Sequence, residues 1–216
     1  MDAARRQVGI RVPWDAAAGA ILSRFGAGGG KEGIRPIVGI TGPVGSGKST
    51  LAARVSMGGG CVLSTDRYLP DYDKVAYDER DEPGAADLSR LVQDLAQLAA
   101  GRRTLVPVWS FQTHRREGEE WIEPPKAGGP VVCEGLHALH EPVAAALSLR
   151  VYVEASAAVR WARWEVLETT GVRGWGPVVA REFFDRVAEP TFAKWAEGLR
   201  RSADVVVVND AGVGGV

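Results

Sequence analysis

The stretch Gly42-Pro43-Val44-Gly45-Ser46-Gly47-Lys48-Ser49-Thr50 satisfies the pattern GxxxxGK[ST] in full, and it follows the apolar run Ile37-Val38-Gly39-Ile40. A buried strand that enters such a loop, with a helix leaving it, is the arrangement that cradles phosphate. Small residues let backbone N–H groups turn inward around phosphate oxygens, a lysine at position 48 reaches the terminal phosphates, and the hydroxyl of Ser49 can ligate Mg²⁺. The helix that starts near Lys48 adds the positive end of its dipole. The motif therefore predicts a bound nucleoside triphosphate. A second glycine-rich stretch, Gly26 to Gly33, has no strand before it and no hydroxyl after Lys31, so it reads as a linker.

Around the loop, short apolar runs alternate with helical patterns. Strands are expected at 34–41, 60–65, 105–109, 130–133, 149–153 and 203–208, and helices at about 48–56, 85–100, 157–169 and 178–200. Runs of Val and Leu without polar alternation suit strands buried on both faces, hence an α/β fold with a doubly wound parallel sheet. Ligands of such sheets sit at the carboxyl ends of the strands. Trp14, Ala17, Ala18, Ile21, Leu22 and Phe25 follow helical spacing, which predicts an amphipathic helix over residues 14–25 that docks on the domain or on another subunit of a homo-oligomer.

With 216 residues, 45% of them hydrophobic, the chain can bury a sizeable core as one α/β domain. A net charge of −1 gives no electrostatic support for nucleic-acid or membrane partners. No run of 18 apolar residues occurs and the first twelve residues lack an apolar signal core, so a cytoplasmic location is expected. Cys61 and Cys133 sit in apolar runs as reduced core thiols, and no Cys/His cluster suggests zinc.

Two carboxylates stand where strands end: Asp66 after Cys61-Val62-Leu63-Ser64-Thr65, and Glu134 after Val131-Val132-Cys133. Both should reach the edge that carries the phosphate loop. Mg²⁺ takes hard oxygen ligands and uses one or two protein carboxylates, which leaves the other acid to accept a proton from a substrate hydroxyl.

These residues resemble the uridine kinase and phosphoribulokinase family of P-loop small-molecule kinases. Besides the phosphate loop, the likeness rests on Ser64-Thr65-Asp66-Arg67-Tyr68, on Asp81-Glu82-Pro83-Gly84-Ala85-Ala86-Asp87 and on the hairpin from Val106 to Arg116. It continues through Val132-Cys133-Glu134-Gly135, Val159-Arg160-Trp161-Ala162-Arg163, Glu189-Pro190-Thr191-Phe192 and Ala203-Asp204-Val205. The resemblance implies a P-loop kinase-type sheet with helices on both faces, a substrate hairpin at about 107–123 and a helical lid at about 160–178. It places the kinase domain at 34–210, after an N-terminal helix and linker at 1–33. It implies ATP and Mg²⁺, and transfer of the γ-phosphoryl group to a hydroxyl of a nucleoside-like or sugar-like small molecule.

Residue by residue, the resemblance makes Asp66 the general base, Lys48 the phosphate clamp, and Ser49 and Glu134 the Mg²⁺ ligands. Asp81 would hold substrate hydroxyls; Trp109, Phe111, His114 and Arg116 would line the acceptor site. Arg160, Arg163 and Arg173 would close over the phosphates, a role suited to planar guanidinium groups. Gly171 and Gly174-Trp175-Gly176 supply hinges for a lid.

The departures bear on substrate. Trp109 and Ser110 stand where nucleoside kinases of the family carry Tyr and Asp, Leu69 replaces a tyrosine, and Leu167-Glu168 replaces Arg-Asp in the lid. Trp109 and Phe111 then either sandwich a flat ring or pack the hairpin, and the arginines of the 157–169 helix are either a lid or a solvated face. His137 and His140 carry no ligand spacing and read as structural or solvent-facing. A regulatory GTPase would need NKxD, and none of the five lysines follows an asparagine. A catalytically silent nucleotide-binding protein descended from a kinase stays as the alternative.

Overall fold

The computed structural model describes residues 9–24, 34–126 and 128–210. The strands are β1 (Ile10–Pro13), β2 (Ile37–Thr41), β3 (Cys61–Ser64), β4 (Thr104–Ser110), β5 (Arg115–Ile122), β6 (Val131–Glu134), β7 (Leu149–Glu154) and β8 (Val205–Val208). The helices are α1 (Trp14–Leu22), α2 (Lys48–Ser56), α3 (Leu88–Ala99), α4 (Val143–Ala146), α5 (Ala157–Thr169), α6 (Gly176–Phe183) and α7 (Glu189–Ser202).

Among the described residues, six strands form a sheet in the order β1-β8-β7-β2-β6-β3, and every pairing in it is parallel. Parallel strands need both faces covered, and two apolar clusters cover them. One packs Leu91, Leu95 and Leu98 of α3 with Val106, Leu139 and Phe192; the other packs Trp14, Ala17 and Ile21 of α1 with Leu51 and Val55 of α2. Because strand β2 is central, the loop that leaves it lies at the middle of the carboxyl edge. The fold is that of an α/β protein with a parallel sheet flanked by helices.

Several elements differ from the periodicity reading. Strand β1 was not expected: Ile10 and Arg11 are exposed and give no apolar run, yet the segment adds to the sheet beside the all-valine β8. The run at 105–109 leaves the main sheet and forms an antiparallel hairpin with the polar β5, because Arg115 to Trp121 is solvated on both faces. The long helix expected at 178–200 is two helices, α6 and α7, joined by a π-helical turn at Phe184–Ala188 just before Pro190, whose ring cannot continue regular helical bonding from within. Phe25 and the glycine-rich stretch lie outside the described residues.

Candidate active site

The phosphate loop turns sharply from β2 into α2. Gly47 caps α2 with φ 100°, a left-handed conformation that a side chain would strain, and a Cβ there would meet Asn209 Nδ2 at 2.4 Å. Lys48 is buried and donates from Nζ to the carbonyl of Pro43 at 3.0 Å, folded back over its own loop. Ser49 Oγ donates to Glu134 Oε2 at 3.1 Å. Register explains the meeting: Glu134 pairs with Ile40 on β2 and with Ser64 on β3, so its side chain emerges between the phosphate loop and the turn that carries Asp66. Gly135, at φ 136°, has Thr65 Oγ1 where a Cβ would stand, so only glycine lets these two strand ends close up.

A cleft of about 450 Å³ joins these groups, within the range of small-molecule sites. Lys48, Ser49, Asp66, Asp81, Glu134 and Arg173 all line it. Their charges act on one another. Burial pushes Asp66 up from the usual carboxylate range, while Lys48 and Arg173 pull it back. Burial and then Asp66 push Glu134 up. Burial and then Asp66 raise Asp81 to about 7. Burial lowers Lys48 and outweighs the opposing pull of Glu134 and Asp66. Burial raises the three carboxyls against the pull of Lys48 and, for Asp66 and Asp81, of Arg173, and an incoming cation would favour their ionised forms. The hydroxyl of Ser49 beside the Glu134 carboxylate is a hard-oxygen pair that fits Mg²⁺. No group of three or more His, Cys, Asp or Glu side chains is placed to hold a metal by itself among the described residues, so the rest of the coordination would fall to phosphate and water.

Beyond Asp66 the cleft becomes an aromatic box. Trp109 meets Phe111, Tyr72 and His114 edge-on, with ring centroids 5.1, 5.2 and 5.7 Å away. Its Nε1 donates to Pro70 O at 3.2 Å. Tyr72 Oη donates to Asp81 Oδ1 at 3.4 Å. His114, at φ 54° in the hairpin tip, stacks on Trp175. Burial, then Arg173 and Arg80, lower His114 to about 4, so it is neutral at physiological pH.

The loop between α5 and α6 closes the top. Buried Glu168 accepts from Trp164 Nε1 at 2.9 Å and from the backbone N–H groups of Trp175 and Gly176 at 3.2 and 2.9 Å. Gln112 Nε2 donates to Gly171 O at 2.8 Å, and Gly174 N donates to Phe111 O at 3.2 Å. Hairpin and loop are thus stitched together across that end of the cleft. Arg173 lies over the rings of Phe111 and Trp164 at 4.2 and 5.4 Å, with its charge toward the cleft.

The expected residues divide into those the fold brings to the cleft and those it uses elsewhere. Val44, Gly45, Gly47, Thr50, Trp109, Phe111, His114, Arg163 and Arg173 line it with the charged set above. Gly42, Pro43 and Ser46 shape the loop from behind. Arg160 corrects the sequence reading: it is buried away from the cleft, paired through both Nη atoms with Glu189, and donates to Ala155 O and Val44 O. It braces α5 against α7 and the phosphate loop. Arg116 is likewise spent, on Tyr68 O and Leu69 O at 2.9 and 3.0 Å, where it fastens the hairpin to the loop after Asp66. His137 is buried, with neither ring nitrogen bonded among the described residues, and His140 packs edge-on against Trp195. Sequence reasoning missed Tyr72, Phe183, Asn209 and Trp14 as cleft residues and took Trp175 only as part of a hinge. For Tyr72 the available signal was its place six residues after Asp66, in a loop bound to face the same edge.

The Phosphoribulokinase / Uridine kinase family model matches residues 62–209. A uridine kinase from Deinococcus deserti is 32% identical over 185 residues, covering 81% of this chain and 88% of that protein. One from Clostridium novyi is 29% identical with the same coverage. Among solved structures, a possible uridine kinase from Bacillus stearothermophilus superposes with a TM-score of 0.62 at 18% identity, over 89% of this chain and 98% of that one. A D-glycerate 3-kinase from Cryptococcus neoformans superposes with a TM-score of 0.58 at 15% identity, over 92% and 96%. At these identities the structural likeness speaks for the fold.

Proposed function

From the premise that the chain belongs to the Phosphoribulokinase / Uridine kinase family and is a small-molecule phosphotransferase acting on an alcohol, we propose that it moves the γ-phosphoryl group of Mg·ATP to a hydroxyl of a sugar-like or nucleoside-like acceptor. The observation that carries this reading is the convergence of Lys48, Ser49, Glu134, Asp66 and Asp81 in one cleft at the carboxyl edge of the sheet. Phosphoryl transfer needs positioning and charge stabilisation more than covalent chemistry, and this set supplies both.

Asp66 takes the proton of the acceptor hydroxyl as that oxygen bonds to phosphorus and the bond from phosphorus to the bridging oxygen of the leaving ADP breaks. A carboxyl raised by burial is the better proton acceptor at neutral pH. Lys48 and Arg173 offset charge on the transferred oxygens. Asp81, held by Tyr72, orients acceptor hydroxyls. Ser49 and Glu134 would hold Mg²⁺, which when bound supplies neutralisation of phosphate charge. The stitched lid and hairpin keep water from competing for the phosphoryl group.

The acceptor end favours a sugar-like over a pyrimidine nucleoside substrate. Trp109 spends its one donor on Pro70, and Ser110 Oγ accepts from the N–H groups of Gln112 and Thr113, so the pair that replaces Tyr-Asp offers a base little to bond. A nucleoside remains the second reading, favoured by relatives that are uridine kinases. A cytoplasmic site of action belongs to the same proposal; no described helix is long and apolar enough to cross a membrane.

The test is ADP release with Mg·ATP against uridine, cytidine, pantothenate, ribulose 5-phosphate and simple sugars. Acceptor-dependent release with a sugar-like compound is expected. Tight Mg·ATP binding without release for any hydroxylated acceptor would point instead to a silent nucleotide-binding protein.

A further inference from the structure

The cleft has two ends, and the chemistry proposed above uses one of them. Lys48, Asp66 and Asp81 mark the end where phosphoryl transfer would occur. In a phosphate loop the lysine serves the β- and γ-phosphates while the N–H groups that follow it serve the inner phosphates, so the nucleoside leaves past Thr50. At that end the cleft is lined by Thr50, Gly47, Asn209, Arg163 and Trp14.

Trp14 comes from the N-terminal β1–α1 unit, which precedes the strand that enters the phosphate loop. Its placement follows from register. Pro13 at the end of β1 pairs with Val208 at the end of β8, so the next residues, Trp14 and Asn209, emerge side by side at the carboxyl edge. There Asn209 Nδ2 donates to Ser46 O at 2.8 Å, and a Cβ on Gly47 would meet Trp14 Cη2 at 3.1 Å. The guanidinium of Arg54 sits over one face of the indole, 4.9 Å from its centre. The ring is 8% exposed, and the exposed part lines the cleft. Asn209 is already bonded through both ends of its amide, to Ser46 O and to Arg163 Nη2, so the indole supplies the apolar surface on this side.

We propose that Trp14 is the wall against which the base of the nucleoside triphosphate packs, so that β1–α1 completes the nucleotide site. The inference rests on the ATP reading above and names a contact that reading does not require. Placing an aromatic edge there adds affinity for the base while leaving the triphosphate grip to Gly42–Thr50, and the two contributions are separable.

Calorimetric titration of the full chain with Mg²⁺ and either ATP or inorganic tripolyphosphate separates them. Trp14→Ala is expected to weaken ATP by about three- to tenfold, the worth of one edge-on aromatic pair, and to leave tripolyphosphate unchanged; Trp14→Phe should keep most of the ATP affinity. Unchanged ATP affinity in Trp14→Ala, or parallel weakening of both ligands, would overturn the proposal. Should the alanine variant fail to fold, tryptophan emission decides. ATP should perturb the wild-type emission beyond what tripolyphosphate does, and Trp14→Phe should reduce that excess; an excess undiminished in Trp14→Phe would also overturn it. A wild-type chain that binds neither ligand would remove the ATP reading itself, whereas binding of both with an indifferent Trp14→Ala removes only the role of Trp14.

Discussion

His114 and Trp175 stack with ring centroids 4.2 Å apart and planes 8° from parallel, although 61 positions separate them in the chain. The contact joins the tip of the β4–β5 hairpin to the loop between α5 and α6, and the hydrogen bonds of Gln112 and Gly174 run beside it. The hairpin and the α5–α6 loop therefore form one wall at that end of the cleft. Opening that wall costs a stacked aromatic pair and three hydrogen bonds, so an acceptor bound at this end, as proposed, would engage both elements together.

His114→Ala should raise the acceptor KM about three- to tenfold, the worth of one aromatic pair, and change the KM for ATP little. Because His114 lies near 4, the acceptor KM should show no inflection at the usual imidazole range near 6.5. Steady-state kinetics across pH 5.5 to 8 check both points; a His114→Ala enzyme with normal acceptor kinetics would remove the hairpin from the site.

Asp66→Asn keeps the shape of the side chain and removes its basicity. It should lower kcat by roughly 10²- to 10⁴-fold with Mg·ATP affinity near wild type, since Ser49 and Glu134 are the proposed metal ligands. Loss of metal-dependent ATP binding in Asp66→Asn, with binding retained in Glu134→Gln, would mean that the two carboxylates exchange roles.

Among the described residues, the Lys48 ammonium bonds within its own loop, to Pro43 O. Lys48→Ala should therefore preserve the fold and weaken nucleotide binding or turnover severely. Circular dichroism with ATP calorimetry on the same sample tests this, and equal affinity and turnover would count against the phosphate-loop assignment.

Two arginines should separate. Arg160, buried against Glu189, should lower Tm by several degrees when changed to alanine, because removal of one member of a buried pair strands the other. Arg173 faces the cleft, so Arg173→Ala should reduce kcat while Tm stays close to wild type. The reverse pattern would return Arg160 to the phosphates.

Asp81 gives a pH signature in stability. Its folded value near 7 exceeds the unfolded value near 3.9, so between about pH 4 and 7 the folded state holds a proton the unfolded state has released. The stability from this proton is complete at low pH and is lost as pH rises through 7. Asp81→Asn removes the cost of burying the charge, so it should melt above wild type by about 2 to 4 °C or more at pH 8, with the difference shrinking toward pH 5. A difference that grew on acidification would contradict the burial of an uncompensated carboxyl.

Arg160 and Arg116 show where sequence stopped. Both lie in segments that resemble family motifs, and nothing in Val159-Arg160 or in His114-Arg115-Arg116 tells which guanidinium faces ligand. The choice depended on partners far along the chain: Glu189 for the first, the carbonyls of Tyr68 and Leu69 for the second. Strand β1 was hidden for a related reason, since its place is set by pairing with β8 rather than by a hydrophobic pattern of its own.

Sequence by itself determined the phosphate loop, the parallel α/β sheet and the carboxylates at strand ends, because each is written in local steric and hydrogen-bonding terms over a few neighbouring residues. Only the tertiary structure decided that Tyr72, Trp175 and Phe183 close an aromatic box with Trp109, that Arg160 braces helices, and that Trp14 reaches the phosphate loop. Those outcomes are fixed by which strands become neighbours and in what register, and burial then rewards the distant pairs that satisfy one another.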